Sequence, residues 1–181
     1  MKTMHKKIGV CLVILWSLLT FNLSSAQRIA MIDMKGHPDT LALRLVKEKG
    51  FTTMPNQGDV RVLKGKLNGE PIELKIYSSP IGKRVWMATA FYVPQKNYKK
   101  ALIDFELKVQ NLVERYGKFE SKNILKKQKT AKADWGYMQY FQNLQLVAEI
   151  VEGNRVAVHF ILRDERIKHD EEKKLSENQL F

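Results

Sequence analysis

The chain has a single cysteine, Cys11, in 181 residues. It lies in an apolar run near the N-terminus, so everything after that run is without disulfide or thiol chemistry. Histidine is scarce as well. Beyond residue 26 there are only His37, His159 and His169, far apart and without an HExxH, CxxC or DxDxDG pattern. These absences exclude the sequence-encoded zinc and calcium sites, and no metal or cofactor is expected. There is no glycine-rich phosphate loop and no GxSxG elbow. Asp104 and Glu106 stand about 200° apart around a helix and form no carboxylate pair. No catalytic residue is therefore named, and the reading leans away from an enzyme. Acidic residues are in deficit too, 19 against 31 Lys and Arg, for a net charge of +12. After residue 26 no apolar run approaches the ~20 residues of a spanning helix.

One long apolar run is present. Lys2, Lys6 and Lys7 precede Ile8 to Leu19, and Ser24-Ser25-Ala26 precede Gln27. A basic start, an apolar centre and small residues at a junction are the three parts of a Sec signal peptide, with cleavage expected between Ala26 and Gln27. The rival, an uncleaved anchor, needs a longer apolar stretch. No cysteine follows the junction, which disfavours a lipoprotein. The expected location is periplasmic or secreted, with no transmembrane span after cleavage. Losing Lys2, Lys6 and Lys7 takes the net charge from +12 to +9.

The strongest periodic signal is Tyr98 to Phe119. Tyr98, Ala101, Leu102, Phe105, Val109, Leu112, Val113 and Tyr116 fall in one arc of about 120°. Asn97 is a natural N-cap and Gly117 a stop. Ile103 and Leu107 sit off this stripe and read as a wide edge of the core, with a small contact for a partner as the alternative. An earlier helix is expected over Thr40 to Lys49, capped by Asp39 and stopped by Gly50. Asn68-Gly69 marks a hairpin between Val60–Leu67 and Glu70–Tyr77, because both turn positions need positive φ. Ile72, Leu74 and Ile76 face one way; Glu73, Lys75 and Tyr77 face the other. Arg84 to Val93 is apolar on both faces and reads as a central strand. Lys118 to Lys132 is a basic connection with some strand character, Asp134 to Phe141 a strand, and 144–151 with 155–162 a second hairpin around Gly153. The tail from Arg163 reads as a solvated charged extension or a frayed helix, without a site.

The expected architecture is α+β: an antiparallel sheet of six to eight strands with two helices packed on it, in one domain at 27–162. LVKEKGF (45–51) and LVERYGKF (112–119) match, and the order of elements repeats. The reading is an αβββ pseudo-repeat over about 39–93 and 97–162. MIDMKGHPDTLALRLVKEKGF (31–51) and VWMATAFYVP with its following helix resemble the corresponding parts of small exported bacterial α+β proteins of no assigned function. The layout is also similar to β-lactamase-inhibitor-protein-like repeats and to small outer-membrane assembly lipoproteins. These resemblances imply an envelope α+β domain and no catalytic residue.

Two surfaces are candidates for binding. Lys118, Lys122, Lys126, Lys127, Lys129 and Lys132 face a single acid, Glu120, over 15 residues. Such a run attracts an acidic envelope protein, an anionic lipid or an acidic glycan. A solvated lysine-rich loop that blunts a sheet edge accounts for it as well. Nucleic acid is a poor partner, since the run holds no arginine and almost no aromatic for stacking. The other candidate is aromatic. Trp86 and Tyr92 flank Ala88 and Ala90, and Trp135, Tyr137 and Tyr140 follow later. Together they line a possible groove or fill the core. His159 reads as a surface or hydrogen-bonded histidine on the less buried side of its strand. The function expected is a non-enzymatic exported binding or interaction protein. The alternatives are a carrier of a small apolar or anionic ligand between sheet and helix, and a hydrolase whose site assembles only in space.

Overall fold

The computed structural model describes residues 36–136, 143–151 and 155–178. The leader, the Ala26–Gln27 junction, the segment 28–34, Tyr137, Tyr140 and the turn at Gly153 lie outside the described residues. Three helices are described: α1 (Pro38–Lys49), α2 (Tyr98–Tyr116) and α3 (Glu165–Asn178). The strands are β1 (Thr52–Thr53), β2 (Val60–Leu67), β3 (Glu70–Ser78), β4 (Val85–Tyr92), β5 (Ser121–Leu125), β6 (Thr130–Asp134), β7 (Asn143–Val151) and β8 (Arg155–Arg163). They form one antiparallel sheet in the order β1-β2-β3-β4-β8-β7-β6-β5. The fold is α+β, with an eight-stranded sheet.

The order is symmetric about the β4–β8 seam. Each half is a helix followed by four strands, and the last strand of each half lies at the centre. A three-strand unit was expected, and two features account for the difference. β1 is only two residues long. β5 and β6 fall within the lysine-rich stretch, where charge hides the alternation. Ala131 and Ala133 point into the core while Lys132 between them points out. The strand expected over 134–141 is not found in its described part: Asp134 ends β6, and Gly136 turns the chain at φ 62°.

One face of the sheet carries the core. Cross-strand pairing sets Leu63, Leu74, Ala90, Phe160, Leu146 and Ala133 in one row. Leu41, Ala42 and Leu45 of α1 and Ala101, Phe105, Val109 and Leu112 of α2 are buried with them. Each large aliphatic or aromatic side chain buried this way contributes roughly 1.5–3 kcal/mol. Phe51, just after α1, lies over Gly65, where a Cβ would collide with its ring. Glycine is needed in β2 at that point because of this close approach.

The helix ends are built as their residues dictate, with one change. Asn97 accepts from the N–H of Lys99 at 2.9 Å and of Lys100 at 3.4 Å, and the Gly117 N–H donates to Val113 O at 2.9 Å. In α1 the cap is His37, not Asp39. The Asp39 N–H donates to His37 Nδ1 at 3.3 Å, and Pro38 takes the first helical position, where no N–H is required. Asp39 instead pairs with Arg61 of β2.

Ile103 and Leu107 are not an edge of the core: they are 61% and 54% exposed. The buried flank of α2 is taken by Lys108, which is 6% exposed. Its Nζ sits 2.6 Å from Asp104 Oδ1, 2.8 Å from Glu70 Oε2 and 4.0 Å above the Tyr92 ring. A buried ammonium tolerates this only with its carboxylates in place. Lys108→Met, which removes the charge and keeps the stem, is expected to change stability by less than about 1.5 kcal/mol. Glu70→Gln with Asp104→Asn, which leaves the cation without counter-charge, is expected to cost about 2–3 kcal/mol in urea denaturation.

The tail takes the helical of its two readings, docked rather than solvated. It forms α3, with Asp164, Ile167 and Glu171 buried. The remaining described side chains of the helix, Glu165 to Glu177, are exposed. Two buried positions four residues apart in a strongly charged stretch fall below what periodicity detects.

Candidate binding groove

The face of the sheet away from α1 and α2 is polar and apolar by turns. Pairing across it places Lys64, Glu73, Phe91 and His159 in one row, and Val62, Lys75, Thr89 and Ile161 in the next. A groove of about 710 Å3 opens here, with Lys64, Lys75 and Arg155 around Phe91, Val93, Pro94 and Ala157. Glu73 is the one acid among its lining residues. Lys75 Nζ is 3.2 Å from Gln57 Oε1, 3.7 Å from Glu73 Oε1 and 5.4 Å above the Phe91 ring. The groove is therefore cationic with an apolar floor. Every lining residue belongs to β2, β3, β4 or β8, or to adjoining turns, so the cavity lies on the sheet rather than between sheet and helix.

The six lysines of 118–132 do not make one flat surface. Lys122 sits on the helix side, paired with Glu106 of α2 and 6.0 Å from the Phe119 ring centre. Lys132 sits on the opposite face, 3.4 Å from Asp134. Lys118 precedes β5, and Lys126, Lys127 and Lys129 gather at the β5–β6 turn. Two of the six are thus neutralised in place, and the rest stand at two ends of an edge strand.

The aromatic candidates also separate. Trp135 is buried, its indole N–H donates to Gly117 O at 3.0 Å, and Phe119 packs edge-on at 6.1 Å. Phe119 thus ties the end of α2 to Trp135. Tyr92 lies under Lys108 and touches the groove from its far side. Trp86 sits at the β-bulge that shifts the register beside Tyr77 and Ser78. Tyr77 is 6.4 Å from it, and Lys168 of α3 lies 5.3 Å above its ring. Of the three, only Tyr92 lines the groove.

His37 caps α1 and His169 is exposed on α3. His159 is on the face away from α1 and α2, as alternation with Val158 and Phe160 requires, but it is 3% exposed. The Phe91 ring covers it at 4.8 Å, and its Nδ1 has no hydrogen-bond partner among the described residues. Burial pushes its pKa down to about 4, so the ring is neutral.

A more fully built site was invisible in the sequence. Glu171 of α3 is 2% exposed and reaches the loop between β3 and β4. Its Oε1 accepts from Ser79 Oγ at 2.8 Å and lies 3.3 Å from Arg84 Nη2; its Oε2 accepts from Ile81 N–H at 3.0 Å and Gly82 N–H at 3.1 Å. Burial opposes ionisation here. The Gly82 and Ile81 amides, the Ser79 hydroxyl and Arg84 outweigh it and hold the carboxyl below its ordinary value. A Cβ on Gly82 would meet Glu171 Oε1, so any larger residue there pushes the carboxylate aside. In the sequence Ser78 to Lys83 reads only as a turn and Arg84 as the start of a strand, because the carboxylate that joins them comes from far along the chain.

Among the described residues, no group of three or more His, Cys, Asp or Glu is placed to hold a metal ion. No helix among them is long and apolar enough to cross a membrane. No family model, curated protein or solved structure matches the chain.

Proposed function

We propose that the chain is an exported, non-enzymatic binding protein of the bacterial envelope, and that the Phe91 groove receives an acidic segment of another protein. The observation that carries this reading is the setting of Lys64, Lys75 and Arg155 around an apolar floor. Lys64, Lys75 and Arg155 along the lining favour an anionic partner, and Phe91 with Val93 rewards one that also carries apolar side chains. The net charge of +9 expected after loss of Lys2, Lys6 and Lys7 draws such a partner from a distance. The basic start, apolar centre and Ala26 junction support export. A volume of about 710 Å3 is within the range of small-ligand pockets, which favours a carrier as the second reading. The groove is an open trough, however. A small ligand in it keeps much of its surface in water, while a chain segment lying across it is held at several points.

The test is fluorescence anisotropy with a labelled peptide of alternating glutamate and phenylalanine. Lys64→Glu, Lys75→Glu and Arg155→Glu combined are expected to weaken binding at least about tenfold, since like charges at an interface cost several kcal/mol. Lys118→Glu, Lys126→Glu and Lys127→Glu combined are expected to leave it within about twofold, as rim charges far from the contact do. Loss of binding in the second variant alone contradicts the groove. Capture of a small aromatic sulfonate in place of the peptide favours the carrier. Binding only to anionic vesicles or to an acidic polysaccharide moves the partner to lipid or glycan.

A further inference from the structure

The loop that holds Glu171 has the build of a site rather than of a chance contact. Two backbone N–H groups, a hydroxyl and a guanidinium converge on one carboxylate. That arrangement is a backbone nest backed by an arginine, which binds carboxylates wherever they come from. The loop also holds itself together without α3. Ser79 N–H donates to Arg84 O at 2.8 Å, and Arg84 N–H donates to Ser79 Oγ at 3.0 Å. Lys83, at φ 47°, is tied to Asp59 at 3.5 Å.

The occupant, by contrast, is lightly attached. Within α3 only Ile167 and Glu171 are buried among the described side chains. Lys168 lies over Trp86, and Asp164 at the start of the helix donates its N–H to Trp86 O at 2.8 Å. One aliphatic side chain and one carboxylate make a small hold for a helix of 14 residues. Elements held this way open well below the global unfolding free energy.

We propose that the Ser79–Arg84 loop is a carboxylate-binding site and that α3 is its displaceable occupant, so that an acidic segment of another protein chain can take the place of Glu171. With α3 lifted, the cradle stands beside Trp86 and Tyr77, which offer an aromatic surface next to the anion site. The ligand class is then a glutamate or a chain-terminal carboxylate with an apolar neighbour, recognised by the amides of Ile81 and Gly82. The proposal does not rest on the Phe91 groove, and either site stands if the other fails.

The test uses the full-length chain carrying Glu171→Ala, followed by amide NMR while sodium acetate is added, with sodium chloride at equal ionic strength as the control. Saturable shifts at Ile81, Gly82 and Arg84 are expected with acetate alone, at a midpoint at least tenfold lower than in the wild type. The peptide 164–178 added to the same variant is expected to give the same pattern, and the peptide carrying Glu171→Gln is not. Glu171→Gln in the full-length chain serves as the second variant, because it keeps the side-chain shape and loses only the charge. Equal responses to acetate and chloride in both variants, or the same acetate response in the wild type, would overturn the proposal.

Discussion

Replacing Glu171 by alanine is expected to release α3 from the sheet and leave the sheet itself folded. The carboxylate accepts hydrogen bonds from Ser79, Ile81 and Gly82 and pairs with Arg84. Hydrogen bonds to a charged group contribute roughly 1.5–3 kcal/mol each, and the buried donors left behind add their own penalty. Arg84 is partly exposed and can turn to water, so its share is small. A docking loss of at least about 3 kcal/mol follows from the three bonds, which corresponds to at least roughly 100-fold faster hydrogen exchange across 165–178. Protection in β4 and β8 is expected to fall much less, because their burial rests on Ala88, Ala90, Phe160 and Leu162. Gly82→Ala is expected to act in the same direction by pushing the carboxylate away. Unchanged exchange in α3 after Glu171→Ala would mean that Ile167 alone holds the helix.

The second large effect is acid destabilisation through His159. The pKa of its imidazole is pushed down to about 4 in the folded chain, chiefly by burial, against an ordinary value of 6.5. Glu149 lies 3.7 Å from Nε2 and pulls the other way, but it is half exposed and its field is screened. The unfolded chain thus binds the proton first. This contribution is complete above pH 6.5, falls as pH drops, and is lost by about pH 4. A shift of this size is worth about 3 kcal/mol. Glu171 is held below its ordinary value, so its contribution is lost only at lower pH. His159→Leu is expected to flatten stability between pH 6.5 and pH 4. Urea midpoints at a series of pH values measure this. An unchanged acid slope in the variant would assign the effect to another group.

Much of the fold is legible where local chemistry decides it. Asn97, the Asn68-Gly69 turn and the alternation of Ile72, Leu74 and Ile76 each have one physical solution, and the structure adopts it. The same alternation sends Glu73 and Lys75 to the face where the groove lies. The groove itself was not legible, because it depends on register. Lys64, Glu73 and Phe91 come together only when three strands align, and Arg155 joins across the β4–β8 seam. The lysines of 118–132 depend on pairing too, since a run continuous in sequence is divided between opposite faces of a hairpin at the sheet edge. His159 shows a further limit: alternation gave its face, but its burial under Phe91 depends on the neighbouring strand. Glu171 shows the last, since a buried carboxylate in a charged tail looks like any exposed one until its donors are known.

The central claim is that the Phe91 groove, rather than the basic hairpin, receives an acidic partner. The most direct measurement is amide and side-chain NMR of the full-length chain titrated with the glutamate–phenylalanine peptide at low and high salt. The account predicts saturable shifts at Lys64, Lys75, Phe91, Val93 and Ala157 that weaken as salt rises. Shifts confined to Lys118 to Lys132, with the groove silent, would contradict it.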